Sequence, residues 1–121
     1  MRDILFRGKR IDNGEWVEGS LLITEILGGT DYEILKRNRG TWQTSYRVDP
    51  ITIGQFTGLT DKNGIRVWEG DIMALNVSRK FVVCYDKGIF YMNGTSIPIR
   101  HCDSLTVVGN IHDNPELMEG E

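Results

Sequence analysis

The 121-residue chain has 2 cysteines, 3 prolines and 2 histidines. Two cysteines are too few for a disulfide scaffold, and Cys84 and Cys102 form no CxxC pair for zinc, so both are read as free, buried thiols. No stretch approaches the ~20 apolar residues of a membrane span. The opening Met1-Arg2-Asp3-Ile4-Leu5-Phe6-Arg7 has no apolar run of signal-peptide length, so the expected location is the cytoplasm. A basic excess is absent too, with 14 Lys and Arg against 17 Asp and Glu and a net charge of −3. Proteins that neutralise duplex phosphates usually carry the opposite balance. The charge is uneven. Residues 1–48 hold 8 basic and 7 acidic side chains, a net of +1, and residues 49–121 hold 6 and 10, a net of −4. A basic second half is excluded, and a local basic patch in the first half is permitted.

What the chain does have is glycine, 14 in all. Asn13-Gly14, Gly28-Gly29, Asn63-Gly64, Lys87-Gly88 and Asn93-Gly94 recur at short intervals, and such pairs supply the positive φ angles of tight hairpins. Between them lie alternating or β-rich segments. The expected strands are 4–7, 15–24, 32–36, 42–48, 53–59, 65–68, 71–77, 80–85, 89–92 and 105–111. Gly19 interrupts the second of these, which predicts a bulge or a sharp bend. Asn114-Pro115 followed by Glu116, Leu117 and Met118 reads as a short C-terminal helical turn. The length fits one domain, 1–121, with a seam near Asp49-Pro50 between an N-terminal β extension (1–50) and a small-barrel-like part (51–121). Trp68-Glu69-Gly70-Asp71-Ile72, the short strands after it and a closing strand with Val107-Val108-Gly109 suit an SH3-like barrel. A curved antiparallel sheet is the alternative.

Several motifs resemble one family. They are Tyr46-Arg47-Val48-Asp49-Pro50, then Ile53-Gly54-Gln55-Phe56-Thr57-Gly58-Leu59, then Asp61-Lys62-Asn63-Gly64, then Trp68-Glu69-Gly70-Asp71-Ile72. The closing Val108-Gly109-Asn110-Ile111-His112-Asp113-Asn114-Pro115-Glu116-Leu117 and the opening Ile4-Leu5-Phe6-Arg7-Gly8-Lys9, with Trp16-Val17, complete the set. In order and over the whole chain, they resemble the YopX family. The resemblance implies a phage or prophage origin, a small β-rich fold and homo-oligomers. It carries over no catalytic residues and no cofactor.

The residues offer few chemical alternatives. Asp61-Lys62-Asn63-Gly64 starts like a calcium loop, but its glycine comes too early and a hairpin turn fits better. Asp49, Asp71, Asp103 and His112 have no spacing that requires a metal. His101-Cys102-Asp103 and His112 bring nucleophile, base and acid types together. Neighbours on a strand face opposite ways, however, so a hydrolase is the least favoured reading. Lys36, Arg37 and Arg39, with Trp42 and Arg47, are the candidate site for single-stranded nucleic acid, where cations meet phosphate and a ring stacks on a base. Asn13, Gly14, Gly58, Asn63, Gly64, Gly70, Asp71 and Gly109 are expected to hold turns or close backbone contacts. The aromatics Trp16, Trp42, Trp68, Phe6, Phe56, Phe81 and Tyr85 are assigned to the core and its rim. The favoured function is a non-enzymatic module that self-associates and binds a host or phage macromolecule, with no cofactor and no membrane.

Overall fold

Asn13 and Gly14 illustrate how this sequence builds its strands. The Asn13 side chain accepts the Glu15 N–H, Gly14 takes a φ of 72°, and Arg10 N–H donates to the Glu15 carbonyl at 2.8 Å. The chain reverses there and pairs β1 (Phe6–Lys9) with the start of β2 (Trp16–Ile26). The same chemistry recurs at Lys87-Gly88, where both residues have positive φ (52° and 82°), the signature of a two-residue hairpin of the primed type. The computed structural model describes residues 4–37, 43–94 and 98–119. Among them are ten strands, two single 3-10 turns and no α-helix, so the chain is mainly β. No helix of the described residues is long and apolar enough to cross a membrane.

The chain divides into two compact units, residues 1–55 and 56–121. In the first, β2 pairs with β1 from Trp16 to Gly19 and with β3 (Gly29–Arg37) from Ser20 to Ile26. The change of partner falls at Gly19. A Cβ there would sit 2.1 Å from the Leu35 carbonyl oxygen, so only glycine fits. β3 pairs with β4 (Gln43–Arg47), and β1 with the first residues of β5 (Gly54–Thr60). One face of this sheet is the core. Val17, Ile34 and Val48 are buried, with Phe6, Leu21, Tyr32, Tyr46 and Ile53 packed around them. The register puts these strand residues on a single side, as the two-residue strand period requires. Asp49 caps the 3-10 turn Pro50–Thr52 through the Ile51 N–H.

In the second unit, β5 continues and pairs with β6 (Arg66–Trp68). β7 (Asp71–Ala74), β8 (Lys80–Asp86), β9 (Ile89–Met92) and β10 (Thr106–Asn110) form an antiparallel sheet in the order β10-β7-β8-β9. Its core is Val67, Met73, Val83, Cys102 and Leu105, with Leu59, Met92, Ile99 and Val107 against it. The barrel expected over 68–111 is not formed, and the sheet is open. β10 and β9 end at opposite edges of it, and beyond the short β9 the described residues supply only an isolated bridge from Tyr91 to Pro98. β10 shifts register at a bulge between Val107 and Gly109. β7 also stops earlier than the alternation suggests. The Asn76 side chain accepts the N–H groups of Ser78 and Arg79 and turns the chain. Pro115–Met118 form a single 3-10 turn after Asn114.

Candidate interaction surfaces

Three places carry exposed or concentrated chemistry. The first is the distal half of the β2–β3 hairpin. β1 pairs with β2 only as far as Gly19, and β4 pairs with β3 only from Glu33 onward. Residues 20–32 therefore continue as a two-stranded ribbon, closed by Leu27 and Gly28 with Gly28 at φ 97°. Leu22 (43 %), Ile23 (54 %), Ile26 (50 %) and Leu27 (fully exposed) face solvent there. Their alternation puts apolar side chains on both faces of the ribbon. An isolated hairpin is marginal in water, and this one leaves its apolar groups uncovered.

The second place is the outer face of the first unit's sheet. Lys9 pairs with Trp16, and Arg7 with Glu18. The Arg7 guanidinium lies 4.5 Å and the Lys9 ammonium 5.7 Å from the Trp16 ring centre. Contacts of this kind contribute about 0.5–1 kcal/mol each when exposed. Trp16 is thus half-buried, with these cations over its ring. Neither Trp16 nor Arg7 was singled out for binding from the sequence. The Arg7-x-Lys9 alternation and the hairpin register were the signals that could have found them.

Of the basic cluster named from sequence, the structure describes the side chains of Lys36 and Arg47. Lys36 is exposed and pairs with Thr44, whereas Arg47 pairs with Glu33. The two occupy ladder rows of opposite parity, so they leave the sheet on opposite faces. Arg47 is bonded to Asp31 at 2.9 Å across the sheet. Arg37 pairs with Gln43. Arg39 and Trp42 lie outside the described residues. A neighbouring open depression, lined by Lys9, Arg10, Ile11, Gly14, Asp49, Pro50 and Thr52, has its polar groups engaged. The Lys9 N–H donates to Thr52 Oγ1, the Thr52 hydroxyl donates to the Asp49 carbonyl, and Arg10 holds Asp12 through two hydrogen bonds.

The third place is where the quoted motifs of the second unit meet. Asp61 is 5 % exposed, and its carboxylate accepts N–H bonds from Asn63, Ile65 and Val107. Burial alone would push this carboxyl up. The donors Val107, Ile65 and Asn63, with Lys62 beside them, outweigh it and hold the group below its ordinary 3.8. Asn63-Gly64 thus serves a hairpin turn, with Gly64 at φ 79°, and the Asp61 oxygens are spent on backbone. Asp71 is 2 % exposed and accepts the Trp68 N–H at 2.8 Å, closing the turn through Gly70 at φ 90°. Gly70 N–H donates to the Val83 carbonyl, and its own carbonyl accepts from Ile111. Asn110 Oδ1 accepts the N–H groups of His112 and Asp113, and its amide donates to Asp113. A Cβ on Gly109 would sit 2.5 Å from Asn114 Oδ1. Gly58 also has positive φ, 85°.

Cys102 is buried between exposed His101 and Asp103. Burial pushes its thiol up, reinforced by Asp103 and Asp61, which makes it a poor nucleophile. No group of three or more His, Cys, Asp or Glu among the described residues is placed to hold a metal ion.

Two antiparallel sheets joined by tight glycine turns, with Asp61, Asp71 and Asn110 fastening the turns, define a small open-sheet β protein. The chain belongs to the YopX protein family, which it matches over residues 5–119. It is similar in fold to the crystal structure of protein EF1440 from Enterococcus faecalis, at 23 % identity and a TM-score of 0.64, covering 98 % of this chain and 100 % of that one. No curated protein matches it.

Proposed function

We propose that this chain is a non-enzymatic phage or prophage accessory module of the bacterial cytoplasm. It acts as a homo-oligomer that engages a host or phage macromolecule. The observation that carries the reading is the distal β2–β3 ribbon, with Leu22, Ile23, Ile26 and Leu27 exposed on a hairpin that runs past its sheet neighbours. Fully burying one such side chain is worth about 1.5–3 kcal/mol, so covering several of them offsets much of the cost of association. The engaged carboxylates of Asp61 and Asp71 and the buried thiol of Cys102 support a structural role for the most polar buried groups.

Size-exclusion light scattering, with absorbance read at protein and nucleic-acid wavelengths, tests it. A defined multimer free of nucleic acid is expected. The double substitution Leu22→Ser with Ile26→Ser should lower the mass while leaving the circular dichroism spectrum intact. A wild-type monomer at tens of micromolar overturns the reading. A monomer that carries nucleic acid would overturn it in favour of a nucleic-acid-binding protein.

A further inference from the structure

We infer that two copies join through the free edge of β2, pairing residues 20–26 antiparallel about a two-fold axis at Ile23 to make a four-stranded ribbon. This rests on the self-association proposed above and specifies its contact.

The argument starts from the backbone. On the side of β2 away from β3, no strand among the described residues pairs with Ser20 to Ile26, because β1 ends its pairing at Gly19. A sheet edge presents a row of N–H and C=O groups ready to template another strand. Edges that must stay single are usually blunted by lysine, proline or a bulge. Ser20-Leu21-Leu22-Ile23-Thr24-Glu25-Ile26 has none of these, and its β3 register is continuous from Ser20↔Leu35 to Ile26↔Gly29. The competing edge is less suitable. On β3 the stretch beyond β4 is short, carries Asp31, and ends where the Tyr32 carbonyl accepts the Val48 N–H.

The occupant follows from self-complementarity. A two-fold contact presents the same patch from both sides, so it must tolerate meeting itself. The axis that pairs the whole free edge passes through Ile23, its midpoint. Ser20 then faces the partner's Ile26, Leu21 the partner's Glu25, and Leu22 the partner's Thr24. Ile23 faces its own counterpart. The one charge on the edge, Glu25, therefore meets a leucine and not another carboxylate. Like charges directly opposite would oppose pairing, and this register has none. An acidic or basic foreign strand would gain no ion pair from an edge whose central residues are uncharged. Joining the ribbons also gives each marginal hairpin the further strands it needs for stability.

The test is a charge swap at Ile23, which is 54 % exposed and outside the core, so the fold should survive. Ile23→Lys and Ile23→Glu are each purified, checked by circular dichroism and thermal melting, and weighed by light scattering alone and mixed. Each variant alone should lose at least half the wild-type mass, since like charges meet at the axis. The equimolar mixture should regain the wild-type mass, with affinity that weakens as salt rises. As an independent readout, Ile23→Cys with Cys84→Ser should cross-link between copies on oxidation. Residues facing each other across antiparallel strands lie about 4.5–5.5 Å apart at Cα, within disulfide reach.

If both charged variants keep the wild-type mass, the contact lies elsewhere. The edge pairing is then overturned while self-association stands. If both dissociate and the mixture does not recover, or Ile23→Cys fails to cross-link, the register is wrong and the inference falls. A wild-type monomer overturns self-association itself.

Discussion

Replacing Asp61 with asparagine isolates one oxygen. Asp61 Oδ1 accepts Asn63 N–H at 2.8 Å and Ile65 N–H at 2.9 Å, and Oδ2 accepts Val107 N–H at 2.9 Å. In Asp61→Asn the amide oxygen can keep the Asn63 and Ile65 pair. The amide nitrogen must then face the Val107 N–H, donor against donor. A buried donor left unpaired costs about 1–3 kcal/mol, and the two remaining bonds lose the extra strength of a charged acceptor. The expected loss at pH 7 is about 2–4 kcal/mol. Urea unfolding followed by tryptophan fluorescence, in a background with Trp16 and Trp42 replaced by phenylalanine, reads it, because Trp68 is buried in the same unit. The effect has a pH signature. The folded-state pKa lies below its ordinary 3.8, so the carboxylate stabilises the protein above about pH 4 and ceases to do so as pH falls through the folded pKa. The gap between wild type and Asp61→Asn should therefore be full at pH 7 and narrow below pH 4. A loss under about 0.5 kcal/mol, or a gap constant from pH 7 to pH 3, would refute the assignment of Asp61 as the fastener of this unit.

Other perturbations follow from the same structure. Gly70→Val places a β-branched residue at φ 90°, which costs about 1–2 kcal/mol or more and should lower the melting temperature; an unchanged melt removes Gly70 from the structural set. Gly19→Ala drives a methyl into the Leu35 carbonyl and should cost about 1–3 kcal/mol, measured by chemical unfolding of the first unit. Arg47→Ala breaks an exposed pair with Asp31 and should change stability by less than about 1 kcal/mol, so a larger loss would reveal an unrecognised role. In thiol labelling of the native protein, half-buried Cys84 should react before Cys102, and equal rates would contradict the burial of Cys102.

The mainly-β class and the family were legible because their signals are local. Asn13-Gly14, Asn63-Gly64 and Lys87-Gly88 state where the chain reverses, and the quoted motifs run in order along it. Strand ends were less legible. β2 runs through Gly19 to Ile26, since the interruption there is a steric exception made for the Leu35 carbonyl. β7 ends at Ala74, since Asn76 takes over the backbone donors. Closure of a barrel was not legible at all, because alternation says which face a residue takes and not which strand lies beside it. Trp16 shows the same limit. Its type suggests the core or its rim, but its neighbours Arg7 and Lys9 are supplied by cross-strand register. Lys36 and Arg47 show it again, since only the register tells that they leave the sheet on opposite faces.

The bond between Asp61 and Val107 spans 46 residues. Its effect on timing differs from its effect on stability. During synthesis the β2–β3 ladder can zip as soon as Arg37 clears the ribosome, because the pairing of these two strands with each other is local. The second unit must wait until Val107 and Ile111 emerge, since they bring the donors for Asp61 and for the Gly70 carbonyl. A nascent chain therefore displays an apolar hairpin while its other half is still open. On a message read by several ribosomes, the first neighbour available to that hairpin is another copy of itself.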